Sequence, residues 1–98
     1  MTWQDQEVEL NHIKRAIGFG FDVEAFLKSD IGVYLCERAE GERSGALEQL
    51  ATVNPTDEKK IRALQQQIAV VDSWQRWLAE AVNEGVAAQG QLVQALGN

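Results

Sequence analysis

Residues 54–84, NPTDEKKIRALQQQIAVVDSWQRWLAEAVNE, carry the strongest periodic signal in the chain. Ile61, Leu64, Ile68, Val71, Leu78 and Val82 alternate at spacings of three and four, with Gln75 the one interruption. That is the repeat of a helix with a single apolar stripe. Pro55 suits the first turn of a helix, where its missing N–H costs nothing, and Asn54 before it is a good N-cap. Asp57 then falls in the positive end of the helix dipole. The spacing predicts one long helix over 55–84, about 45 Å long if unbroken. Trp74, Trp77 and Ala81 widen its stripe, so the C-terminal half carries the greater apolar area.

Upstream of Asn54, the residues Ile31, Leu35, Ala39, Ala46, Leu50 and Val53 fall near one helical face, and Ser29 and Asp30 offer a cap. A second long helix is expected over 31–53. Gly41 and Gly45 each cost it about 1 kcal/mol relative to Ala. The pairs Arg38 with Glu42 and Glu40 with Arg43, and the return of the apolar face in phase at Ala46, favour continuity. The connection between the two long helices is so short that they must turn back on each other as an antiparallel hairpin.

Residues 4–28 read as short helices. Val8, Leu10, Ile13, Ala16 and Ile17 give a first amphipathic piece that Gly18 and Gly20 end, and Asp22 caps a second turn carrying Val23, Phe26 and Leu27. Phe19, Phe21 and Phe26 form a compact aromatic cluster, and Trp3 caps the hairpin end. Gly85 punctuates the second long helix and leaves 85–98, rich in Ala and Gln, as a final short helix or a tail. The expected fold is all-α: one domain over 1–98, a long antiparallel helical hairpin with short N-terminal helices packed on it. The apolar excess near Trp77 then needs the Phe cluster or another chain to cover it.

Composition narrows the function classes. The chain has 98 residues, 45% of them hydrophobic and 24% charged, enough for a modest core in one domain. One Pro and one Cys exclude collagen-like and disulfide-stapled scaffolds, and the lone Cys36 suits a reducing compartment. Nine basic against fifteen acidic residues give a net charge of -6, which disfavours direct contact with nucleic acid or an anionic membrane surface. No stretch approaches the length of a bilayer span, and the acidic Met1 to Leu10 segment has no hydrophobic signal core. The sequence therefore reads as a protein made and kept inside a cell.

Four motifs invite chemistry, and each has a plainer reading. Glu9 and His12 share the Glu-x-x-His spacing of carboxylate-bridged dimetal bundles. Such sites need a second pair, His12 is the chain's one histidine, and only a symmetric dimer bringing two His12 side chains together rescues the idea. Gly18-Phe19-Gly20 lacks the Gly-Lys-Ser/Thr of a phosphate loop. Cys36 has no histidine base in its local sequence. Glu37, Glu40 and Glu42 are interleaved with Arg38 and Arg43, as on a solvated helix face. No catalytic residue, metal ligand or cofactor is expected. The residues singled out for partner binding are Trp74, Trp77, Leu78 and Ala81, because tryptophans three apart lie close together on a helix and Trp is enriched in interface hot spots. The competing reading makes the two tryptophans core anchors.

One further pattern runs through the chain. Phe-Leu-x-Ser-x-x-Gly-x-Tyr-Leu stands at Phe26 to Leu35, Glu-Arg-Ala-Glu at Glu37 to Glu40, Asn-Pro-Thr-Asp at Asn54 to Asp57, Ile-Arg-x-Leu-Gln at Ile61 to Gln65, and Trp-Leu-x-Glu-Ala at Trp77 to Ala81. Over about two-thirds of its length the chain resembles a group of small, uncharacterised helical proteins carried by tailed bacteriophages and prophages. Gly41 and Gly45 depart from the Glu and Ala that this resemblance leads one to expect. It implies no catalytic residue. It does imply a non-enzymatic role in particle assembly or DNA packaging, through contacts with phage structural or packaging proteins or with further copies of itself, in the host cytoplasm or incorporated in the virion. The alternative is a small acidic host-takeover protein that inhibits a host enzyme.

Overall fold

The computed structural model describes residues 3–97. Three helices follow one another: α1 (Trp3–Lys28), α2 (Asp30–Thr52) and α3 (Glu58–Gly97). The described residues contain no strand, so the protein is all-α. The capping role expected of Trp3 falls on a side chain outside the described residues.

The N-terminal segment corrects the sequence reading. Residues 4–28 are not a series of short helices but part of one helix of 26 residues, which runs straight through Gly18, Gly20 and Asp22. The C-terminal end differs in the same way, because α3 continues through Gly85 to Gly97 instead of stopping near Glu84. No glycine has a positive φ, so none of them acts as a left-handed helix terminator.

Packing explains two of these glycines. A β-carbon at Gly20 would lie 3.1 Å from the Cα of Gly85 and 3.3 Å from the carbonyl oxygen of Ala81. One at Gly85 would lie 3.1 Å from both the Ala16 carbonyl oxygen and the Gly20 Cα. Each helix thus offers an alanine and a glycine four residues apart, Ala16 with Gly20 and Ala81 with Gly85, and the two backbones meet where side chains are missing. Ile13, Val23 and Ala88 are the buried apolar residues of this part of the chain. The helix penalty of about 1 kcal/mol per glycine is offset by a contact that no larger residue permits.

The chain divides into two compact units, one of residues 3–26 with 78–97 and the other Leu27–Trp77. In the second, α2 starts at Ser29, whose extended backbone and Oγ, accepting from the Gly32 N–H at 3.0 Å, make a regular N-cap. It runs unbroken through Gly41 and Gly45, where an added β-carbon would meet nothing within 4 Å. The entry to α3 is later than the sequence suggests. Asn54 Oδ1 accepts from the Thr56 N–H at 3.0 Å and the Thr56 hydroxyl at 2.8 Å, which closes a side-chain turn around Pro55. With that oxygen engaged, Asp57 caps the helix by accepting from the Lys60 N–H at 3.2 Å. Helix α3 therefore begins at Glu58 rather than Pro55.

Ala46, Leu64 and Val71 are buried between α2 and α3 residues of this unit, where Arg43 Nε pairs with Asp72 Oδ1 at 2.6 Å and Gln75 Nε2 donates to Glu40 Oε2 at 3.3 Å. Among the described residues no large side chain is fully buried.

The glycines give a paired test. Gly18 has open space around its Cα, so Gly18→Ala raises stability by about 0.5–1 kcal/mol through helix propensity alone. Gly20→Val, two residues away on the same helix, lowers it by about 1–3 kcal/mol through overpacking against Gly85. Thermal melts of the two variants should shift in opposite directions.

Candidate protein-contact face on α3

The stripe of α3 that meets α2 is not its only apolar stripe. Ala63, Gln66, Val70, Ser73 and Trp77 repeat the same three-four spacing on another side of the helix, with Ala, Val and Trp at seven-residue intervals. Here the structure forms a groove of about 410 Å³. Gln66, Ala69, Val70 and Ser73, at positions i, i+3, i+4 and i+7 of α3, line one side of it, and Val71, Trp74 and Ala39 of α2 line the other. Trp77 bounds it at the C-terminal side and is 61% exposed, and Val70 is 59% exposed.

No charged side chain lines this groove. Trp74 is half-buried and lines both this groove and a second hollow shared with Leu35, Arg38, Ala39 and Glu42. Arg38 and Glu42 form an exposed ion pair of 3.8 Å there, one helical turn apart. On α2, the guanidinium of Arg43 is held further into its charged form, first by its hydrogen bond to Asp72 and then by the charge of that carboxylate. Charge thus fastens α2 to α3 at one edge while the groove stays apolar.

The four residues singled out from sequence divide between the units. Trp74 and Trp77 line one groove. Leu78 and Ala81 do not line it; both are half-buried, and the Ala81 carbonyl oxygen faces the glycine crossing with α1. Sequence reasoning missed Gln66, Ala69, Val70 and Ser73. The signal was present as a second heptad-spaced stripe, masked by the polar Gln66 and Ser73 within it.

The remaining candidates lie apart. Glu9 and His12 are exposed and border different hollows, and among the described residues no group of three or more His, Cys, Asp or Glu side chains is placed to hold a metal ion. Cys36 is a half-buried free thiol. Phe19 and Phe21 are 61% and 54% exposed, because residues two apart point to opposite sides of one continuous helix; the expected aromatic cluster does not form a buried core. Among the described residues no helix is long and apolar enough to cross a membrane. No family model matches the chain, and neither a curated protein nor a solved structure matches it.

Exposure separates the α3 residues by role. Leu64→Ala, at a buried position, costs about 2–5 kcal/mol. Trp77→Ala at fixed protein concentration should lower the melting temperature less, with far-UV circular dichroism showing helical content retained.

Proposed function

We propose that the protein is non-enzymatic and works by presenting the outer face of α3, centred on Val70 and Trp77, to another protein chain. The observation that carries this reading is the exposed, uncharged groove beside Trp77. A Trp that leaves 61% of its surface uncovered, next to small residues on a regular helix, has the composition of an interface core and not of a solvated helix face. In this reading α2 and the first half of α3 act as an antiparallel hairpin that stiffens the face. The contact ladder supports it: Arg43 pairs with Asp72 and Glu40 with Gln75, so three residues backward on α2 correspond to three forward on α3.

The setting we propose, particle assembly or DNA packaging in a tailed phage or prophage, rests on the sequence resemblance at Phe26 to Leu35, Asn54 to Asp57 and Trp77 to Ala81. It places the protein in the host cytoplasm or the virion, with phage structural or packaging proteins as partners. The net charge of -6 supports protein over nucleic acid as the direct partner. Affinity capture of the tagged protein from phage-infected cells should recover portal, terminase or capsid components, and Trp77→Ala should lose them. Recovery of a host nuclease or polymerase in their place would favour the host-takeover alternative.

A further inference from the structure

We infer that α1 is a releasable strap, which lifts from the C-terminal half of α3 in one step and returns while the unit Leu27–Trp77 stays folded. The first argument is connectivity. Leu27–Trp77 is one uninterrupted stretch of chain, whereas the other unit joins residues 3–26 to residues 78–97. Docking α1 on α3 with Leu27–Trp77 unfolded would close a loop as long as that whole unit, and the entropy cost of closure rises with loop length. Within Leu27–Trp77 only residues 53–57 join α2 to α3. The dependence therefore runs one way: the α1 contact needs Leu27–Trp77 in place, and Leu27–Trp77 does not need the α1 contact.

The second argument is that Leu27–Trp77 carries its own helix starts. The Ser29 Oγ accepts from the Gly32 N–H at 3.0 Å, so the first turn of α2 is satisfied by a residue of the same unit and not by α1. Asp57 does the same for α3, and Arg43 with Asp72 at 2.6 Å and Gln75 with Glu40 at 3.3 Å join the two helices. The third is the thinness of the α1 contact. Gly20 and Gly85 approach so closely that a β-carbon on either would lie 3.1 Å from the other's Cα, yet a contact between residues without side chains removes little apolar surface from water. Ile13, Val23 and Ala88 are buried there, while Val8, Phe19 and Phe21 of α1 and Val86, Val93 and Leu96 of α3 stay exposed. Once lifted, α1 is a poor helix by itself, with Gly18 and Gly20 in its interior, so release and unwinding come together. Residues 78–97 lose their cover in the same step. The groove beside Trp77 is unaffected, since all of its lining lies within Leu27–Trp77. The strap thus changes how much of α3 is open without disturbing that face.

Native-state hydrogen exchange of the full chain, read residue by residue, tests this. Helix-interior amides of 3–26 and 78–97 should share one level of protection, at least about tenfold below that of the best-protected amides of Leu27–Trp77. Gly20→Val should lower the first set by a further factor of about ten or more, through overpacking against Gly85, and leave the second set unchanged. Protection in 3–26 and 78–97 that equals or exceeds that of Leu27–Trp77 overturns the inference. So does a Gly20→Val protein that loses protection alike in both units, or one that unfolds throughout, because Leu27–Trp77 is required to survive without α1 docked. The readout is exchange and not capture, so a failure of the contact role leaves the strap standing.

Discussion

Two helices lying side by side bury one stripe each and leave the rest of their surface to water, and every notable feature of this protein follows from that constraint. Each compact unit has helical segments and no sheet to close over them. In the unit of residues 3–26 and 78–97, the response is proximity: Gly20 and Gly85 remove side chains at the contact so that the backbones themselves touch. In Leu27–Trp77 it is a narrow stripe of Ala46, Leu64 and Val71 with an ion pair at its edge. Neither solution covers the outer faces, and Phe19, Phe21, Val70 and Trp77 remain in water.

This constraint also gives the tryptophans different meanings. Both line the groove, but Trp74 is half-buried and also borders a hollow with Leu35, Arg38, Ala39 and Glu42 of α2, whereas Trp77, three residues on, is largely exposed. Three residues along an α-helix turn the side chain by about 60° from its neighbour, enough to move it from the flank of one contact onto the next face. A single helix can therefore serve the fold on one side and association on another, and α3 has the two apolar stripes that such a division requires.

The parts of the fold that were legible in the sequence are those whose signal is local. Ser29 as a cap for α2 could be read from residue type, and the all-α class from the three-four spacing of Ile61, Leu64, Ile68 and Val71. What was misread is where a residue serves a distant partner. Gly20 and Gly85 carry the local signature of helix ends, and only their mutual approach across two helices shows why they sit in helix interiors. Asn54 looked like the cap of α3, but its side chain is engaged with Thr56, and Asp57 takes the role. At the candidate contact face, Trp77 is legible by residue type. Ala69 and Ser73 are not, since small residues announce a hollow only when the side chains around them are placed.

The contact role of the α3 face is tested most directly by affinity capture with the tagged protein and its Trp77→Ala variant side by side. Protein partners held by the wild type and lost by a variant of unchanged helical content are the expected result. Partners that the Trp77→Ala variant retains in full would contradict it.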